Sequence, residues 1–215
     1  AFSFSGDIEI TLEANPGTVD LSKLKAYSDL GVNRINFGVQ SFNDKTLKLL
    51  GRIHSAGEAQ AALDLARRAG FGNIGLDIIY GIPGQSEKML ISDLEASIGF
   101  QPEHISSYLL SFEEGSLFHK NLIKRTLSPL PEEVSGKMIE TVIETLESSG
   151  YSHYEVSNYA RLNECISRHN SKYWDNSTYL GFGPSAHSYV SSEKKRYWNV
   201  SDIKKYTDCL KTGRL

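Results

Sequence analysis

Asn73-Ile74-Gly75-Leu76-Asp77-Ile78-Ile79-Tyr80, running into Gly81-Ile82-Pro83-Gly84-Gln85, decides the fold class of this chain. A short run dense in Ile, Leu and Tyr, stopped by glycine and proline, reads as a strand over 73–80 that ends in a turn. Working outward, runs of the same kind occur at 8–14, 34–40 and 104–110. The intervals carry helical spacing. Leu21, Leu24, Tyr27 and Leu30 share one face behind the N-cap candidates Thr18 and Asp20. Ala62, Leu63, Ala66 and Ala69 mark a helix over 59–70 that stops at Gly70, and Leu90, Leu94 and Ile98 mark another over 86–99. Strand-helix alternation of this length predicts an α/β fold of parallel strands joined by crossover helices, either a doubly wound sheet or a segment of a barrel.

The second half departs from that rhythm. Val134, Met138, Val142 and Leu146, each four apart, predict an amphipathic helix over 132–150. From Tyr151 the chain becomes aromatic and polar, with little regular period. Gly115, Pro129 and Pro131 suggest a soft boundary, dividing residues 1–115 from residues 116–215.

Composition narrows the function classes. The 215 residues hold 23 Lys+Arg and 26 Asp+Glu, a formal charge of -3, which argues against a nucleic-acid partner. No apolar run approaches the ~18 residues of a membrane span. Two cysteines, Cys165 and Cys209, make neither a disulfide framework nor a four-thiolate metal cluster. Residues Ala1 to Gly6 lack the pattern of a signal peptide, and a cytoplasmic location is expected. The first residue is Ala, the methionines are Met89 and Met138, and the chain stops at Gly213-Arg214-Leu215 directly behind a helical stretch, so a piece of a longer protein is expected.

In parallel α/β folds, ligand chemistry gathers at the C-terminal ends of the strands. Those ends hold Glu13, Gln40 and Asp77, with Arg52 on the loop that follows the second. Carboxylates accept from the two hydroxyls of a ribose, and Arg pairs with a carboxylate through two parallel hydrogen bonds, so the set suits a ligand that carries both. From spacing alone the favoured reading is structural, a Glu13–Arg52 ion pair with Gln40 and Asp77 capping loops, because such pairs are common.

Three blocks carry a family resemblance: Glu13-Ala14-Asn15-Pro16-Gly17, Gly31 to Phe42 (Gly-Val-Asn-Arg-Ile-Asn-Phe-Gly-Val-Gln-Ser-Phe) and Leu50-Gly51-Arg52-Ile53-His54. Together with 73–85 and Pro102-Glu103-His104-Ile105-Ser106, in this order, they resemble the radical S-adenosylmethionine (radical SAM) proteins related to oxygen-independent coproporphyrinogen III oxidase. Tyr154 to Ala160, His169-Asn170-Ser171-Lys172-Tyr173-Trp174 and Gly181 to Ser188 resemble the heme chaperone branch of that group. The resemblance implies a partial (β/α)6 barrel, with about four of its six strands present, followed by a smaller α+β region. It implies that Glu13, Gln40, Arg52 and Asp77 surround S-adenosylmethionine, and it makes His169, Asn170, Tyr173 and Trp174 candidates for a heme-related region.

The implied function is to bind heme and transfer it to an acceptor protein. The alternative is oxidative decarboxylation of coproporphyrinogen III, and the barrel residues suit both, so whether the parent is an enzyme stays open. One departure is large. The family's Cys-x-x-x-Cys-x-x-Cys strand, which holds a [4Fe-4S] cluster, and its Gly-Gly-Thr-Pro loop are not in these residues. The cluster ligands are expected outside this chain, roughly 80–100 residues before Glu13. The same departure predicts an exposed strand edge at 8–14.

Other signals are weaker. Cys165 with His153 and His187 matches no zinc spacing. Gly181-x-Gly183-x-x-Ala186 imitates a dinucleotide fingerprint, but no helix pattern follows it. Asn176-Ser177-Thr178 and Asn199-Val200-Ser201 are glycosylation sequons by pattern only. The aromatic residues Tyr173, Trp174, Tyr179, Phe182, Tyr189, Tyr197 and Trp198 suit either a porphyrin surface or the core of the second half.

Overall fold

The computed structural model describes residues 4–114, 116–124 and 127–213. The reading of Ala1 to Ser3, the boundary marker Gly115 and the end at Arg214-Leu215 lie outside the described residues. The chain forms two compact units, Ala1–Ile166 and Ser167–Leu215. The first contains β1 (Thr11–Ala14), α1 (Leu21–Asp29), β2 (Arg34–Gln40), α2 (Asp44–Leu49), α3 (Ala56–Arg68), β3 (Ile74–Tyr80), α4 (Glu87–Gly99), β4 (His104–Leu109), α5 (Leu117–Ile123), α6 (Glu132–Ser148), β5 (Ser152–Glu155) and β6 (Asn158–Ala160). The second contains α7 (Arg168–Trp174), β7 (His187–Val190), β8 (Lys195–Trp198) and α8 (Ile203–Thr212).

The strands of the first unit form one sheet in the order β1-β2-β3-β4-β6-β5. β1 to β4 run parallel through crossover helices, which is the expected α/β arrangement, while β6 pairs antiparallel with both β4 and β5. The four parallel strands are the number expected for the partial barrel, and two antiparallel strands from the irregular stretch after Tyr151 extend the sheet to six. The division drawn at 115/116 differs from that between the compact units. The reason is packing: Met138, Val142 and Leu146 of α6 join the same apolar core as Leu90 and Leu94 of α4, and Ile105 of β4 pairs with Tyr159 of β6. α2 and α5 were missed because six or seven residues are too few to display a helical period. β1 starts later than the run 8–14 suggested. The stretch before it is held by a side chain, since Ile10 N–H donates to Asn33 Oδ1 and Asn33 Nδ2 donates to the Ile8 carbonyl.

Period-two alternation gives the sheet two unlike faces. Ile35, Phe37 and Val39 of β2 and Ile74, Leu76 and Ile78 of β3 are buried in the apolar core with the helices. The intervening positions hold Arg34, Asn36 and Gln40 on β2, Asp77 on β3, and His104 and Ser106 on β4. Five of these, Arg34, Asn36, Gln40, His104 and Ser106, are buried, so the opposite face is polar yet largely closed to solvent. That combination places the chemistry.

Candidate cofactor and ligand sites

Register brings the polar positions side by side. Glu13 lies opposite Asn36, Asn36 opposite Gly75, and Asp77 opposite Ser106. Gly75 makes room for this. A Cβ there would fall 2.3 Å from Asn36 Oδ1 and 3.3 Å from an Arg34 guanidinium nitrogen. Asn36 Nδ2 reaches across to donate to Asp77 Oδ1 at 2.9 Å. Burial pushes the Asp77 carboxyl above its usual range; hydrogen bonds from Asn36 and Ser106 oppose this, the Glu13 charge adds to it, and the Arg34 charge opposes it.

Gln40 ends β2 at φ 71°, in the left-handed region unusual for a residue with a Cβ, and the β2–β3 register shifts between Phe37 and Gln40. Backbone held in such a conformation at a strand end is a recurrent feature of binding sites. Gly38 lets the neighbouring side chains converge, since a Cβ there would lie 2.9 Å from Gln40 Nε2 and 3.3 Å from Asn15 Oδ1. Asn15 in turn accepts a hydrogen bond from Arg52 Nη1 at 3.3 Å. Among the described residues no ion pair joins Glu13 to Arg52, so the structural-pair alternative has no support.

Gln40, Arg52 and Asp77 line one cavity of about 270 Å³ together with Ile79, Tyr108, Leu109, Leu110 and Ser111. Glu13 is outside that lining, although its charge acts on both Asp77 and Tyr108. Three of the four candidates thus meet, and the fourth stands close by. The cavity offers a guanidinium, a carboxyl, an amide and an apolar wall, a donor set that fits a ligand with a carboxylate, hydroxyls and a flat ring system.

Sequence reasoning missed several residues of this face. Asn15, Asn36 and Arg34 stood in quoted motifs without an assigned role, and only pairing register shows that they converge. His104 is buried, with Nε2 2.7 Å from the Tyr154 hydroxyl and Nδ1 unpartnered. Burial, aided by the Arg34 charge, lowers its pKa to about 3. Arg34 Nε, Asn36 Oδ1 and Asn158 Oδ1 are likewise buried without a partner. Unpartnered polar atoms gathered on one face are a feature of a surface built to receive polar groups.

In the second unit, His169, Asn170, Tyr173 and Trp174 all fall on α7. Spaced four apart on one helical face, His169 and Tyr173 bring Nε2 and the hydroxyl to 3.1 Å with their rings edge-on. Tyr173 also packs on Tyr179, with ring centroids 4.8 Å apart. Trp174 is 57% exposed, as are Phe182 at 73% and Trp198 at 70%, so several of the aromatic residues lie at the surface of the unit and do not form its core. The backbone N–H of Asn170 caps α7 on the Ser167 hydroxyl. The Gly181–Ala186 segment leads into a strand, β7, which excludes the dinucleotide-loop reading.

Among the described residues no three His, Cys, Asp or Glu side chains gather as metal ligands. His153 is occupied otherwise, stacked on Tyr159 at 4.4 Å. Cys165 is buried in the first unit, its thiol pushed up by burial, and Cys209 is on α8 in the second. These residues do not fit an iron–sulfur cluster. Among the described residues no helix is long and apolar enough to cross a membrane.

Residues 3–96 match the model of the radical SAM superfamily. The chain is 38% identical over 202 residues to the heme chaperone HemW of Bacillus subtilis, covering 94% of this chain and 52% of that protein. It is 39% identical to the heme chaperone HemW of Escherichia coli, covering 87% of this chain and 48% of that protein. It is 40% identical to the mitochondrial radical S-adenosyl methionine domain-containing protein 1 of Danio rerio, covering 83% of this chain and 40% of that protein. The structure of coproporphyrinogen III oxidase (HemN) from Escherichia coli, described as a radical SAM enzyme, superposes with a TM-score of 0.79 at 23% identity, over 98% of this chain and 50% of that one. That likeness is one of fold. The chain spans about half the length of the curated relatives it matches.

Proposed function

We propose that this chain, which belongs to the radical SAM superfamily through its residues 3–96, is part of a heme chaperone that holds heme and passes it to an acceptor protein. The observation that carries the reading is the His169–Tyr173 pair on α7 beside exposed Trp174. His169 Nε2 lies 3.1 Å from the Tyr173 hydroxyl, and that ring nitrogen is the one that would be offered to an iron. Exposed aromatic rings alongside supply a flat apolar surface for a porphyrin. The resemblance of fold to HemN does not favour the decarboxylating alternative, because it describes the backbone and not the site.

In this reading the first unit is accessory and binds S-adenosylmethionine through Glu13, Gln40, Arg52 and Asp77. When bound, that cofactor with a reduced [4Fe-4S] cluster supplies radical chemistry. Arg52 is the partner for its carboxylate, Glu13 and Asp77 accept from hydroxyls, and Ile79, Tyr108 and Leu109 exclude water.

Heme titration of the intact parent protein tests the proposal. Wild type is expected to bind one heme, and His169→Ala to weaken binding by about tenfold or more, with a changed Soret band. No binding by wild type sinks the reading, unchanged affinity in the variant removes His169 as a ligand, and anaerobic turnover of coproporphyrinogen III would favour the enzyme.

A further inference from the structure

α4 buries Leu90, Asp93, Leu94 and Ser97 on one stripe, and Asp93 is an anomaly in it: a carboxyl only 4% exposed, far in sequence from the candidate cofactor residues. Both of its oxygens are used on one short turn. Ser41 Oγ donates to Oδ2 at 2.7 Å, and Phe42 N–H donates to Oδ1 at 2.8 Å. The Ser41 hydroxyl oxygen in turn accepts from Asn43 N–H at 3.1 Å. Asn43 is the N-cap of α2, taking the N–H groups of Lys45 and Thr46 on its Oδ1. The far end of α2 then fixes Arg52, whose N–H donates to the Leu47 carbonyl at 2.9 Å.

The turn therefore has a cofactor candidate on each side. Gln40, in its left-handed conformation, directly precedes Ser41, and Arg52 follows α2. A buried carboxyl is costly unless its oxygens are satisfied, and an apolar residue here would strand a hydroxyl and an N–H in the interior. For a helix that only had to pack on the sheet, Leu at this position would serve. We infer that Asp93 is a positioning residue: from α4 it clamps the Ser41–Asn43 turn and so holds Gln40 and Arg52 at the cavity they share with Asp77. This inference rests on the cofactor reading above for its purpose, and on the hydrogen bonds alone for the clamp.

Two measurements on the intact parent protein separate these. Amide hydrogen exchange in Asp93→Ala should quicken at Phe42 and Asn43 by about tenfold or more relative to the amides of β3. Leu146→Ala, which destabilises the core from α6, should not single out that turn. Titration with S-adenosylhomocysteine should weaken by about tenfold in Asp93→Ala, stay near wild type in Leu146→Ala, and recover to within about threefold in Asp93→Asn, which can still accept from Phe42 N–H. If Asp93→Ala does not fold, Ser41→Ala, which removes one arm of the clamp, takes its place with the same expectations. Exchange that quickens uniformly, or wild-type affinity in a variant whose turn has been freed, overturns the inference. Failure of wild type to bind the probe rejects the cofactor reading instead, and exchange at Phe42 and Asn43 then decides the clamp by itself.

Discussion

His104 sets a pH dependence of stability whose size follows from its surroundings. The ring is 1% exposed, Nδ1 has no partner, and burial with the nearby Arg34 charge lowers the pKa from 6.5 to about 3. Below pH 6.5 the unfolded chain takes up a proton at this ring that the folded chain refuses until about pH 3. The stability tied to the neutral ring is thus complete above the unfolded value and is lost progressively as pH falls between the two. Integrating the linkage relation from about pH 7 to about pH 5 gives a loss of about 2 kcal/mol from this one group. At a denaturant slope of about 2 kcal/mol per M, that moves a urea midpoint by about 1 M. The assay is urea unfolding at both pH values in wild type and in His104→Asn, which keeps a polar side chain but cannot be protonated. Subtracting the two removes every other titrating group. The wild type should lose about 2 kcal/mol more than the variant over this interval. Equal losses, or an NMR titration placing the His104 pKa near 6.5, would refute the reasoning.

Three further outcomes are expected. Gly75→Ala should displace Asn36 and break its bond to Asp77, lowering both stability and S-adenosylhomocysteine affinity; calorimetry of both quantities checks it. Ser55→Ala removes the capping box that opens α3, where Ser55 Oγ accepts from Glu58 N–H and Glu58 accepts from Ser55 N–H, at a cost of about 1 kcal/mol by chemical denaturation. Leu146→Ala, at a fully buried position of α6, should cost about 2–5 kcal/mol in the same assay, and a smaller loss would mean that α6 is not an integral part of the first unit's core.

What was legible in the sequence was the part governed by local period and by end signals. Apolar residues at 34–40 and 73–80, glycine stops and the Asp20 cap announce strands and helices because neighbouring positions suffice to bury one face. The resemblance of quoted motifs then pointed to Glu13, Gln40, Arg52 and Asp77, and three of them do share a cavity. The partners of those residues were not legible. Asn36 to Asp77 spans 41 residues and Ser41 to Asp93 spans 52, and each pairing exists only once strands are in register and α4 has docked.

The same division runs through the whole chain. Sequence alone determined an α/β order, the strands that would run parallel, and which residue types would stand at the strand ends, since these depend on periodicity and turn chemistry. Tertiary structure decided that β6 and β5 would extend the sheet, that the boundary between compact units would fall at Ile166 and Ser167 and not near residue 115, and that a polar face would be buried opposite the apolar one. The physical reason is that hydrogen bonding between strands and burial of a helix face are satisfied by partners far along the chain, and short elements such as β5, β6 and α2 become stable only through those partners.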